Sequence, residues 1–165
     1  MNKKDAITFL KENQPLPDDG EELDAIIEVF GEVQEYFLEN PDPECVPLFL
    51  NCFGQGNGNG GYQLIEDVMV KHDRDIVIPH LKTALQSESA SVRYWCAQIA
   101  ERYDSEELID GLFNVYEKGD YDAKCASLTT LTVIKKKKVI DFVKKVIDTE
   151  ADEDLLEIAE DIVNG

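Results

Sequence analysis

The sequence lacks any long apolar run. No stretch approaches the roughly 18–20 consecutive apolar residues that would span a bilayer. The amino terminus reads Met1-Asn2-Lys3-Lys4-Asp5 and then turns amphipathic, without the apolar core of a signal peptide. These two absences point to a cytoplasmic protein. Bases are also scarce, with 16 lysines and arginines against 35 acids and a net charge of −19. That charge repels nucleic-acid phosphates and anionic lipid, which argues against nucleic acid and membrane as partners. It attracts basic protein surfaces instead. The four cysteines, Cys45, Cys52, Cys96 and Cys125, form no CxxC pair, and each sits in an apolar helical pattern where a thiol acts as a small hydrophobe. Only two histidines occur, His72 and His80, with no third ligand at zinc spacing. No metal and no cofactor is expected.

What the sequence does contain is a repeat of 31 residues. Val77, Ile78, Leu81, Ala84 and Leu85 recur 31 positions later as Leu108, Ile109, Leu112, Val115 and Tyr116. A further 31 gives Val139, Ile140, Val143, Val146 and Ile147, and subtracting 31 from the first set finds Val46, Leu50 and Phe53. Apolar residues at i, i+1, i+4 and i+7 or i+8 mark one face of a helix. A second helix follows at the same period: Leu64, Ile65, Val68 and Met69 match Trp95, Cys96, Ile99 and Ala100, then Ala126, Ser127, Thr130 and Leu131. One extra residue brings Ile158, Ala159, Ile162 and Val163 into register.

Turn-forming residues separate the helices, at 54–61, 87–89, 118–120 and 149–152. Ser91 and Ser105 are candidate N-caps. Ahead of the repeats, 5–13 reads as a short helix and 21–39 as one long helix, with the apolar stripe Leu23, Ile26, Ile27, Phe30, Val33 and Phe37. The expectation is an all-α, right-handed α-α superhelix of about five hairpins in one domain spanning 1–165. Its parts would be a divergent hairpin at 1–40 and repeats at 41–72, 73–104, 105–134 and 135–165.

Ile78-Pro79-His80-Leu81, Ser91-Val92-Arg93, Ala97 to Ala100 and Glu106-Glu107-Leu108-Ile109 carry a family resemblance. The stretch 76–113 resembles HEAT repeats of the short type also found in phycobilisome-lyase-like proteins. A proline in the first helix and a Val-Arg step opening the second are both met there. Elsewhere Ala123-Lys124 and Gly61-Tyr62 replace the Val-Arg step. The resemblance spans roughly 41–165 and implies the fold; the architecture serves scaffolds, inhibitors and a few enzymes alike. In size, acidity and single-domain build the chain is similar to HEAT-type immunity proteins of bacterial polymorphic-toxin systems.

The motifs that could carry chemistry fall short. The loop Gly54 to Gly61 leads into Tyr62-Gln63, not the Lys-Ser/Thr pair that a phosphate-binding loop requires, so it reads as a flexible connection. Asp148 to Asp154 lacks the glycine at position six and the glutamate at position twelve of a calcium loop, and reads as an acidic helix start. Lys135 to Lys138 reads as a solvated cap on the preceding helix. No nucleophile–base pair assembles, so the chain is expected not to be an enzyme.

The remaining candidate is the outer face of each second helix. At 100° per residue, the side opposite the stripe of 21–39 holds Glu21, Glu28, Glu32, Glu35 and Glu39 without a base. Later repeats place Glu66 and Asp67, then Tyr94, Gln98 and Glu101, then Leu128 and Thr129 on that side. The segment 148–161 closes the series with eight acids and no base. The expected partner-binding set is Glu28, Glu32, Glu35, Glu66, Asp67, Tyr94, Gln98, Glu101, Leu128 and Thr129, a less charged middle between acidic ends. The expected function is non-catalytic binding of another protein with a basic surface. Inhibition of a toxin, of the nuclease type among others, ranks before a general adaptor, and a lyase-like enzyme comes third.

Overall fold

A computed structural model describes all 165 residues, and every regular element in it is helical. Eleven α-helices follow one another: α1 (Lys3–Glu12), α2 (Glu21–Asp24), α3 (Ile27–Glu39), α4 (Cys45–Leu50), α5 (Gln63–Met69), α6 (Arg74–Ala84), α7 (Ala90–Ala100), α8 (Ile109–Lys118), α9 (Tyr121–Val133), α10 (Lys137–Thr149) and α11 (Glu153–Asn164). The chain divides into two compact units, Met1–His80 and Leu81–Gly165. No helix is long and apolar enough to cross a membrane.

In the first unit α1 packs on α3 and α4, and α5 on α3 and α4. The core is aromatic, with Phe30, Phe37 and Phe49 all fully buried. Phe37 meets Phe49 edge to face at 5.8 Å and Phe53 meets Tyr62 at 5.2 Å, the geometry that the ring quadrupole favours. In the second unit α7 packs on α9 and α9 on α11, while α8 pairs with α9 and α10 with α11. α9 thus lies against α7, α8 and α11 within that unit. Most of the apolar set of the first helices is buried, namely Val77, Leu81 and Leu85, then Leu108, Leu112 and Val115, then Val139, Val143 and Val146, while Ile140 and Ile147 are half-buried.

Two details differ from the sequence reading, and the Ser105 cap agrees with it. The long helix expected over 21–39 is two, because Ile26 leaves helical geometry at φ −122°, ψ −8° and its N–H bonds back three residues to Leu23. Ile26 and Ile27 are successive β-branched residues, poorly suited to a helix interior. Glu21 thus stands on a separate short helix and not in line with Glu28. Ser89, not Ser91, caps α7, with its hydroxyl accepting from the Val92 N–H. Ser105 caps the 3-10 turn at Glu106–Leu108 that leads into α8.

Two buried hydroxyls occupy positions where the repeat pattern called for apolar residues. Ser127 donates to the Leu112 carbonyl at 2.7 Å and Thr130 to the Ala97 carbonyl at 2.7 Å. Each joins α9 to a neighbouring helix of its unit, and a buried hydroxyl with a partner carries little desolvation cost. Arg93 of the Val-Arg step is 7% exposed, and its Nη1 donates to the carbonyls of Ser87 and Glu88 at 2.7 and 2.9 Å. The guanidinium thereby fastens the turn between α6 and α7.

Candidate protein-binding faces

In the first unit, burial of Phe30, Val33, Gln34 and Phe37 sets the inner side of α3. Gln34 is 2% exposed and donates to the Gly61 carbonyl at 2.7 Å, which ties α3 to the start of α5. The opposite side of α3 is then fixed by helical geometry. Glu28, Glu32, Glu35 and Glu39 all lie exposed on it. No lysine or arginine pairs with them, because the sequence from 12 to 70 holds fourteen acids and no basic residue at all. Asp67 is exposed on α5, and Glu66 is half-buried. Since α3 and α5 pack together, five of the expected site residues share neighbouring helices. Beside them Leu64 of α5 and Val70 at its C-terminal cap are 46% and 52% exposed, and Val29 of α3 is exposed as well. The expectation of buried Leu64 in the repeat core is corrected accordingly.

Asp42 and Glu44, by contrast, are paired within the chain. Lys3 reaches Asp42 at 2.6 Å and Lys11 reaches Glu44 at 3.1 Å. The Lys3 ammonium beside Asp42 holds that carboxyl below its usual range. Contrast with α3 is what distinguishes the two surfaces.

The glycine-rich loop is not the free connection expected. Asp19 accepts from the backbone N–H groups of Asn57 and Gly58 at 3.0 and 2.9 Å, and Asp18 from that of Gln55 at 2.8 Å. Asn59 donates to Asp24 at 2.7 Å. Gly58 has φ +60° and lies against the Tyr62 ring, so a side chain there would collide. The buried Tyr62 hydroxyl accepts from the Gly54 N–H at 2.9 Å, and burial pushes its pKa up to about 12. The ring of loop N–H groups that could have received a phosphate is filled by the chain's own carboxylates.

In the second unit Tyr94 and Gln98 lie half-buried on α7, and Glu101 is exposed at its C-terminal cap. Thr129 is exposed on α9. Leu128 is fully buried, which overturns its place on an open face. Its helix is flanked by α7, α8 and α11, so a side chain next to the outer stripe of α9 still finds neighbours. Ala97 of α7, between Tyr94 and Gln98, is also fully buried. The apolar middle expected from Tyr94 and Leu128 therefore shrinks to the half-buried Tyr94. On α11, Glu153, Asp154, Glu157, Glu160 and Asp161 are all exposed.

The lysine run is exposed, as expected, but it opens α10 in surface ion pairs and does not cap α9. Lys136 pairs with Glu106 at 2.9 Å, Lys137 with Asp141 at 2.5 Å, and Lys138 with Asp110. Asp152 caps α11, as an acidic helix start should, accepting from Asp154 and Leu155. His72 lies 3.7 Å from the buried Cys45 sulfur, and burial lowers its pKa. No group of three or more His, Cys, Asp or Glu side chains is placed to hold a metal ion. A groove of about 310 Å³ lies between Leu131, Ile134, Ile140 and Ile162, with Lys135 and Asp161 at its edges.

No protein-family model matches the chain, and no curated protein matches it. The functional argument rests on the faces themselves. Sequence reasoning missed the base-free span from 12 to 70, although it is plain once lysines are marked along the chain.

Proposed function

We propose that the chain is a non-catalytic protein-binding module that occludes a partner with a basic surface, in the manner of an inhibitor or immunity protein. One observation carries the reading: the exposed carboxylates of α3 form a row on one helix without a cation, whereas Asp42 and Glu44 of the same unit are paired. Four like charges at i, i+4, i+7 and i+11 repel and weaken an isolated helix. A basic partner would relieve that repulsion and be drawn in by long-range attraction. The exposed Leu64 and Val70 beside the acids supply apolar area for the desolvated part of a contact. The resemblance to HEAT-type immunity proteins agrees with this reading, and a basic nuclease-type toxin has the required charge.

The test is capture of the partner from the native host, followed by stopped-flow association. The on-rate should fall steeply with salt, and the Glu28→Lys, Glu32→Lys, Glu35→Lys triple variant should slow it about tenfold or more at low salt. An unchanged on-rate would remove the electrostatic basis of the proposal.

A general adaptor is the second reading, favoured by the separate acidic face of α11 in the other unit. An inhibitor should bind a single partner, and an adaptor two at once. The stoichiometry of the purified complex separates them.

A further inference from the structure

We propose that Cys45 and His72 form a two-donor site for one soft monovalent cation, copper(I), held between the sulfur and the imidazole. Cys45 opens α4, and His72 stands in the turn between α5 and α6. Folding of the first unit brings them together across 27 residues of sequence, with Nε2 of the ring 3.7 Å from the sulfur. Metal bonds of about 2.3 Å to sulfur and about 2.0 Å to imidazole put two such donors about 3.5 Å apart at a tetrahedral angle and about 4.3 Å apart in line. The observed separation falls inside that range, so the pair is already set at bridging distance.

The choice of ion follows from donor count, charge and burial. No third His, Cys, Asp or Glu side chain joins the pair to complete a zinc site. Asp42 acts on both groups electrostatically, but Lys3 holds its carboxylate at 2.6 Å. A soft thiolate with an imidazole selects copper in its monovalent state. Cys45 is fully buried, and burial pushes its thiol up to about 12. A bare thiolate is therefore costly there, and a divalent ion beside a single thiolate would leave a buried positive charge. A monovalent ion cancels the thiolate charge. The exchange balances: the S–H bond breaks, the sulfur keeps the electron pair and binds the ion, and the proton leaves to solvent. Burial lowers the pKa of His72, against the opposite pull of Asp42 and Asp73, so the ring is neutral at pH 7. In its Nδ1–H tautomer it offers the Nε2 lone pair as the second bond. The ring is half-exposed and lies outside both flanking helices, which leaves it room to swing and admit the ion.

The experiment takes the full-length protein with Cys125→Ser, which removes the half-exposed thiol, and titrates it anaerobically with copper(I) against the chelator bicinchoninate. The chain should withdraw one copper(I), with affinity rising about tenfold per pH unit from pH 7 to 9 as one proton is released. Cys45→Ser should abolish binding, His72→Gln should weaken it at least about tenfold, and His80→Gln should leave it unchanged. With two histidines in the chain, a long-range proton–nitrogen spectrum gives a readout that needs neither ligand replaced. The His72 ring signals should move on addition of copper(I) and those of His80 should stay. No copper(I) withdrawn from the chelator, or a His72 signal that does not move, overturns the site. Binding that survives Cys45→Ser, or that changes less than about twofold with His72→Gln, overturns it as well.

Discussion

The phenol of Tyr116, on α8, donates a 2.6 Å hydrogen bond to Glu150, in the turn between α10 and α11. Lys124 of α9 reaches the same carboxylate oxygen at 2.8 Å and lies over the Tyr116 ring. One carboxylate thus holds three helical segments of the second unit together. The Glu150 side chain is only 13% exposed, so water screens the group weakly.

A pH dependence follows from that arrangement. Lys124, and after it Tyr116, hold the Glu150 carboxyl down to about 2 from an ordinary value of 4.5. A group whose folded pKa is depressed contributes stability above its unfolded pKa and loses it as pH falls through the folded one. Stability should therefore decline between about pH 5 and pH 2. Glu150→Gln should cost about 1–2 kcal/mol at neutral pH and flatten that part of the profile. Urea unfolding of both proteins at pH 7, 4 and 3 measures the difference.

Thr130 gives a second stability prediction. Ala97 lies in the last turn of α7, where carbonyls lose their helical partners, and the Thr130 hydroxyl takes that carbonyl. Thr130→Val keeps the shape and removes the donor from a buried site. The expected loss is about 1–2 kcal/mol by chemical denaturation. Thr129→Val, one residue along on the exposed face, should change stability by less than about 0.5 kcal/mol.

Thr130 also marks where sequence reasoning stopped short. The 31-residue pattern located the helices and most of their buried faces, because burial of one stripe imposes a period that composition must follow. It read Thr130 as a substituted apolar position, since pairing with a carbonyl 33 residues away leaves no periodic trace. Leu128 was misplaced because an outer stripe is open only where no further helix covers its edge. The loop at 54–61 was read as free because its partners, Asp18 and Asp19, lie in a separate proline-containing segment. The acid row of α3 was legible, because like charges at helical spacing are visible without coordinates. That Gly31 faces open space was not, since a glycine's neighbours are known only from packing.

Two glycines within helices should respond oppositely to the same substitution. Gly31→Ala fills open space and restores helix preference, so it should stabilise by about 0.5–1 kcal/mol. Gly111→Ala forces a methyl group into the Leu85 side chain, with 2.7 Å to its Cβ and 2.9 Å to its Cδ1. Overpacking there should exceed the gain in helix preference and cost about 1–3 kcal/mol. Thermal unfolding of the two variants beside the parent protein tests the pair, and shifts of the same sign would contradict the packing described.

The last prediction concerns Asp19, whose two carboxylate oxygens each receive one loop N–H, from Asn57 and from Gly58. Asp19→Ala removes both acceptors and leaves those donors facing an empty site. The loss should be about 1–3 kcal/mol, with amide exchange at Asn57 and Gly58 accelerated well beyond that at Ile65 in the neighbouring helix. Asp19→Asn keeps one acceptor oxygen and should fall between the two. The vacated ring of N–H groups would then suit a small anion, so formate should partly restore the stability of Asp19→Ala and leave the parent unchanged. Equal stability of Asp19→Ala and the parent, or unchanged exchange at Asn57 and Gly58, would show that the loop keeps its form without the carboxylate. Its order would then have to come from the remaining bonds, among them Asp18 to the Gln55 N–H, the Tyr62 hydroxyl and Asn59 to Asp24.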